Sequence, residues 1–266
     1  LKVYSPNEHL INYNNVEDEM LNPWWYINQP VSYKLNSRMG TRKQLKKMIN
    51  ICTTYNLRIY ADVLINHMTG DRNMKNYFDL KGQVAIVTGC STGLGVQMAK
   101  ALANQGANIV AVARRENLIQ EVAAEIAKEF GVETLAVRCD ITDTANVDAM
   151  VDSVMQKFGR IDILINNAGT GAVAPAEDIT DEQFGNEMNI DLFGSFRVAR
   201  AVAKKAMIPA KYGRIINIAS MYGLVGNKIA GSSPYHAAKG GVVNLTRALA
   251  AEWGKYGITV NSICPI

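Results

Sequence analysis

Two periodicities of apolar residues alternate along most of this chain, and their order predicts its fold. Val84–Val87 is an unbroken apolar run, as expected of a strand covered on both faces. Leu94–Gln105 then reads as a helix, Asn108–Ala113 as a strand, Glu116–Phe130 as a helix and Thr134–Arg138 as a strand. Ala145–Phe158 reads as a helix and Ile161–Ile165 as a strand. A long helix follows, opened by the capping box Thr180-x-x-Gln183. Strand Arg214–Ile218, a helix from about Pro234 and strand Ile258–Ile263 complete the series. Repeated β–α units predict an α/β fold, a doubly wound parallel Rossmann sheet. Its expected strand order is 3-2-1-4-5-6, with ligand at the carboxyl ends of the strands.

The first part of the chain follows a different pattern. Thr41-x-x-Gln44 predicts a helix start, and Leu45, Met48, Ile49 and Cys52 form one apolar helical face. Leu57 to Leu64 reads as a strand carrying Asp62, with Asn66-His67 at its end. The polar, turn-rich stretch Thr69-Gly70-Asp71-Arg72-Asn73 breaks the pattern, and Met74 opens the β–α series. The expected domains are therefore residues 1–73 and 74–266.

Charge and cysteine usage narrow the function classes. The net charge of +4 lies in residues 1–76, with 10 basic against 6 acidic side chains. The remainder is balanced at 18 against 18 and offers no electrostatic case for nucleic acid. Arg42-Lys43 and Lys46-Lys47 read as the wet face of a helix. No apolar run is long enough to span a bilayer, and the start lacks the apolar stretch of a secretory signal. Cys52, Cys90, Cys139 and Cys264 are scattered without a C-x-x-C pair, so no metal site is expected. They read as buried or semi-buried thiols in a reducing, cytoplasmic setting.

Candidate chemistry clusters at predicted strand ends. Thr88-Gly89-Cys90-Ser91-Thr92-Gly93-Leu94-Gly95 follows the first strand and opens a helix. Glycines let such a backbone turn tightly against a pyrophosphate, while the helix points its positive end at the phosphates; a plain strand–helix turn would read the same way. Where an acidic residue ending the second strand would bind a ribose 2′-hydroxyl, this chain has Ala113-Arg114-Arg115. Two guanidinium groups suit a 2′-phosphate, so the expected cofactor is NADP. Asp140-Ile141 follows the third strand, where a helix N-cap is the plainer role. Asn166-Asn167-Ala168-Gly169 ends the fourth strand and can steady a cofactor cleft through amides. Tyr235-x-x-x-Lys239 puts a phenol and an ammonium on one helical face, where the ammonium favours the phenolate. Ser220 ends the fifth strand, fifteen residues upstream of Tyr235.

These elements, in this order, resemble the short-chain dehydrogenase/reductase family from about Phe78 to Pro265. The resemblance implies hydride transfer between a nicotinamide and a small alcohol or carbonyl substrate. It makes Tyr235 the acid/base, Ser220 the group that orients substrate, and Lys239 the ligand of the ribose hydroxyls. It also implies that Asp140 holds the adenine amino group. Two departures stand out. In Asn189-Ile190-Asp191-Leu192-Phe193-Gly194, Asp191 occupies the place of an Asn that anchors a water in the family's proton relay. Asn189 lies about 200° round the helix and cannot substitute. Asp in that place resembles the gluconate 5-dehydrogenase-like branch and points to sugar acids or polyols. Second, Asn261-Ser262-Ile263-Cys264-Pro265 leads in the family to Gly, a substrate loop and a last strand, whereas Ile266 stands here. On this reading the sheet lacks its last strand, the lid and some tetramer contacts. Turnover is then expected to be impaired, and a homo-oligomer is the candidate assembly.

Residues 1–70 resemble part of an α-amylase-family barrel. The match lies in Ser5-Pro6-Asn7-Glu8-His9, Pro23-Trp24-Trp25, Asn28-Gln29-Pro30-Val31-Ser32-Tyr33-Lys34-Leu35 and Asp62-Val63-Leu64-Ile65-Asn66-His67-Met68. The resemblance implies an appended β/α-barrel fragment, and a chimeric chain. In that family Asn66 would bind a structural calcium and His67 a sugar hydroxyl. Glycoside hydrolysis needs two carboxylates, which in that family sit on later strands, so no glycosidase activity is expected. Two other outcomes stand beside the oxidoreductase. One is a dinucleotide-binding module without turnover; the other is a non-functional chimera that associates through an exposed strand edge.

Overall fold

The computed structural model describes residues 78–171, 173–227 and 231–265, with four short strands nearer the start. The chain divides into two compact units, Leu1–Asn76 and Tyr77–Ile266. In the first, Lys2–Val3 pairs parallel with Tyr60–Ala61, and Glu8–His9 pairs antiparallel with Pro30–Ser32. The helix predicted from Thr41, Asn66, His67 and Cys52 lie outside the described residues.

The second unit is built on six parallel strands: β1 (Val84–Thr88), β2 (Asn108–Ala113), β3 (Thr134–Arg138), β4 (Ile163–Asn166), β5 (Gly213–Ile218) and β6 (Ile258–Ile263). Their spatial order is β3-β2-β1-β4-β5-β6, as the β–α alternation predicts. β1 is buried at all five positions because helices cover both of its faces. Val84 and Ile86 join one core with α3 (Thr144–Phe158), while Ala85 and Val87 join the other with α1 (Leu94–Asn104) and α2 (Glu116–Phe130). That alternation is the two-residue period of a strand meeting two separate apolar layers.

Local signals set the helix ends. Asp143 caps α3 by accepting from the Ala145 amide at 2.8 Å, and Gly131 and Gly159 end α2 and α3 in the left-handed conformation. The plainer role expected for Asp140 is thus wrong: the N-cap is Asp143, three residues on. The capping box at Thr180 and Gln183 is present and opens α4 (Asp181–Ala210). Helix α4 is continuous but contains π-helical turns at Met188–Gly194 and Ala203–Met207. The final helix, α5 (Ser233–Trp253), starts with Pro234 in its first turn and leads to β6. The fourth strand runs Ile163–Asn166 rather than Ile161–Ile165, and Asp162 just before it is a buried acceptor. Its carboxylate takes the Val84 amide at 2.8 Å and chelates Arg160 at 2.7 and 2.8 Å. No helix of the described residues is long and apolar enough to cross a membrane.

Candidate active site

Strand order places the carboxyl ends of β1, β2, β3 and β4 around one cleft. A cavity of about 350 Å³ lies there. Gly89, Ser91, Thr92, Arg114, Arg115, Asp140, Ile141, Asn167, Ala168 and Gly169 all line it, with Thr142, Cys139 and Ile190. Ten of the residues singled out in the sequence therefore share one wall. Gly93, Leu94 and Gly95 form the start of α1 beside it. A second cluster sets Lys239 against both Tyr235 and Asp191, with Ser220 two residues beyond Ile218, whose carbonyl accepts from Lys239 Nζ.

The turn after β1 is tied to the end of β4. Thr88 Oγ1 accepts from the Asn167 and Ala168 amides, both at 3.0 Å. Asn167 Nδ2 donates to Thr88 O at 3.0 Å and to Gly89 O at 3.3 Å. A side chain at Gly95 would drive its Cβ into Gly89 O, so only glycine lets the helix start this close to the turn. Thr88 is a hub that sequence reading passed over; its only signal was a hydroxyl at the end of a buried strand.

Arginines close the far side of the cavity. Arg115 Nη2 donates to Ser91 Oγ at 2.7 Å and to Thr92 Oγ1 at 3.2 Å, which holds the guanidinium against the turn. Asp140 Oδ1 accepts from the Thr142 amide at 2.9 Å and its hydroxyl at 2.7 Å. These two bonds, helped by Arg114 and Arg138, hold its carboxyl below the usual aspartate range. The stability that Asp140 contributes is therefore present above the ordinary aspartate value and is lost as pH falls through its lower folded value. Burial pushes the Cys90 thiol up to about 12 and the Cys139 thiol to about 11, which disfavours the thiolate form at both.

In the second cluster, Tyr235 and Lys239 share a face of α5, and Lys239 Nζ lies 5.5 Å from the Tyr235 ring centroid. Nζ donates to Ile218 O at 3.0 Å. Ser220 is buried at the end of β5 and accepts from the Tyr222 amide at 3.2 Å. In that bond the oxygen is the acceptor, so the hydroxyl hydrogen is not used by it. Below lies a buried amide chain: Asn166 Nδ2 donates to Asn217 Oδ1 at 3.0 Å and Asn217 Nδ2 to Thr246 Oγ1 at 2.9 Å. It locks β4, β5 and α5 together beneath the reacting groups.

Asp191 links the two clusters. It lies in the first π-helical turn of α4, wholly buried. Oδ1 accepts from the Thr170 amide at 2.8 Å, and Oδ2 forms an ion pair with Lys239 Nζ at 3.0 Å. Burial raises its carboxyl above the usual range, against the opposing pull of Lys239 and the Thr170 amide. The contact with Lys239 is direct, whereas the family resemblance led us to expect this carboxylate to take over the water-anchoring role of the family's Asn. Asn189 turns away, its Oδ1 accepting from Arg197 at 2.8 Å. Gly169 packs on the Asp191 carboxylate, where a Cβ would come within 2.9 Å of Oδ2. Gly169→Ala is expected to destabilise the protein by about 1–3 kcal/mol through this overlap, read from urea unfolding.

Comparison with known proteins agrees with this geometry. Residues 83–266 match the family described as short chain dehydrogenase. A D-threitol dehydrogenase of Mycolicibacterium smegmatis is 40% identical over 188 residues, covering 71% of each chain. A 2-dehydro-3-deoxy-D-gluconate 5-dehydrogenase of Escherichia coli is 37% identical over 189 residues, covering 71% of this chain and 72% of that one. Among solved structures, an NAD⁺-bound xylitol dehydrogenase superposes with a TM-score of 0.67 at 36% identity, covering 70% of both chains. An actinorhodin polyketide ketoreductase with NADPH gives 0.66 at 36% identity, covering 69% of both. The family match starts at residue 83, so the α-amylase resemblance of residues 1–70 gains no support from it. The chain belongs to the short-chain dehydrogenase/reductase family of oxidoreductases.

Proposed function

We propose that this chain transfers hydride between NADP(H) and a small hydroxylated alcohol or carbonyl compound of the polyol or sugar-acid type. The observation that carries the cofactor choice is Arg115, held by Ser91 and Thr92 beside Arg114 where β2 ends without an acid. A pre-positioned guanidinium loses little freedom on meeting a 2′-phosphate and can donate to its oxygens bidentately. The NADPH in the ketoreductase supports this reading, while the xylitol dehydrogenase was solved with NAD⁺. The substrate class rests on relatives named for D-threitol and for a dehydro-deoxygluconate.

The cleft suits such a dinucleotide: a glycine turn with no room for a side chain, a helix start, and Asp140 held for the adenine end. When bound, the nicotinamide supplies or accepts the hydride. Tyr235 gives its phenolic proton to the substrate oxygen in reduction and takes it back in oxidation. Ser220 donates its hydroxyl hydrogen to the same oxygen. Lys239 would hold the ribose hydroxyls of the cofactor, and its ammonium, 5.5 Å from the Tyr235 ring centroid, would balance the charge left on the phenol oxygen by proton transfer.

Fluorescence titration with NADPH and NADH tests the cofactor assignment. Loss of charge-assisted contacts to a phosphate costs about 1.5–3 kcal/mol, so the expected preference for NADPH is roughly ten- to a hundredfold. Equal dissociation constants would remove the assignment. The Arg114→Ala, Arg115→Ala double variant is expected to abolish the preference while leaving NADH affinity nearly unchanged.

A further inference from the structure

We infer that Asp191 is a positioning residue that must be a carboxylate in this chain, because it holds Lys239 and the segment after β4 together. The inference rests on the reading of Tyr235 and Lys239 as the reacting pair. Two groups from different elements converge on the side chain: the Thr170 amide donates to Oδ1, and the Lys239 ammonium forms an ion pair with Oδ2 at 3.0 Å. Both Asp191 and Lys239 are cut off from water, at 0% and 5% exposure. A carboxylate presents acceptors in both directions. An amide presents one acceptor and one donor, so Asn would aim an N–H₂ at either the Thr170 N–H or the ammonium. The lysine would then be a buried cation without its counter-charge, and Nζ would keep only its bond to Ile218 O.

The backbone fixes the carboxylate from behind. The Asp191 carbonyl accepts from Ser195 Oγ at 2.8 Å, which ties the backbone of the π-helical turn to the residue that follows it. Gly169, lacking a side chain, is what lets Oδ2 approach. Other titratable groups are accounted for. Glu187 lies one turn earlier on α4 and is buried, Tyr235 faces Lys239 from α5, and His236 is turned toward Tyr222 and Ser232. Asp191 is thus the carboxylate paired with Lys239. Replacing Asp191 by the Asn usual in the family is predicted to harm this protein rather than repair it.

The decisive measurement is the ¹⁵Nζ spectrum of the lysine ammonium groups, which does not depend on turnover or on cofactor choice. The full chain is expected to show one exchange-protected ammonium resonance that Lys239→Arg removes. In folded Asp191→Asn it is expected to vanish, with turnover lowered about a hundredfold as Nζ loses its place. Asp191→Glu, which keeps two acceptors, is expected to retain the resonance. A wild-type spectrum without the resonance, or Asp191→Asn retaining it at full intensity and wild-type turnover, overturns the inference. If Asp191→Asn does not fold, a folded Asp191→Glu with the resonance supports the requirement for a carboxylate. Failure of both to fold reduces Asp191 to a packing residue and overturns the inference as well.

Discussion

Tyr235→Phe is expected to lower turnover by about two to four orders of magnitude while leaving NADPH binding within a factor of about two. The ring stays, so its place beside Gly171 and above Lys239 is kept. What goes is the O–H that carries the proton to and from the substrate oxygen. The described residues offer no ready replacement. Ser220 can orient that oxygen, but its own proton is not acidic enough to be given up. His236, next along α5, has Nδ1 committed to Ser232 O at 2.8 Å and its ring stacked on Tyr222 at 4.8 Å. Single-turnover measurement, with bound NADPH fluorescence followed against time, separates binding from chemistry. A Tyr235→Phe protein that turns over at the wild-type rate would take the phenol out of the mechanism. Loss of cofactor binding instead would make its role structural.

Leu164→Ala is expected to cost about 2–5 kcal/mol of folding stability. Leu164 sits in the middle of β4, in register with Ile86 of β1 on one side and Ile215 of β5 on the other. All three are fully buried and belong to the same apolar layer. Removing the leucine's branched end opens a cavity that two flanking strands, pinned by their hydrogen bonds, cannot close. A loss of that size is a large share of the stability of an ordinary domain. Leu224→Ala is the control, because Leu224 is 60% exposed and is expected to change stability by less than about 0.5 kcal/mol. Urea midpoints followed by circular dichroism test both. A Leu164→Ala midpoint equal to wild type would mean that the layer relaxes around the gap and that the packing argument fails.

The sheet was legible because its signals are local. A buried run such as Val84–Val87, an amphipathic stretch such as Glu116–Phe130 and a capping box at Thr180 are each written within a few residues. Short right-handed connections then leave little freedom in strand order. Tyr235 and Lys239 were equally readable, since a spacing of four fixes a shared helical face whatever surrounds it. The acid-free end of β2 could be read in the same way, as a residue type at a strand end.

Contacts between elements distant in the chain were not legible. Asp191 and Lys239 are 48 positions apart, and their direct ion pair depends on a π-helical turn that shifts the register of α4. No periodicity announces such a turn, so the sequence suggested a water-anchoring place where the structure has a carboxylate touching the lysine. Thr88 as a hub for the Asn167 and Ala168 amides, and Arg115 seated on Ser91 and Thr92, have the same origin. Each is a hydrogen bond whose geometry exists only once β1, β2 and β4 lie side by side. Asp140 and Asp143 show the limit at short range: either carboxylate could have capped α3, and the chain's path off β3 decided for Asp143. By itself the sequence determined which residues stand at the strand ends and on the helix faces, because backbone periodicity and burial act locally. Only the tertiary structure decided which of those side chains share a proton, a charge or a ligand, because such pairings are set to within an ångström by the packing of whole elements.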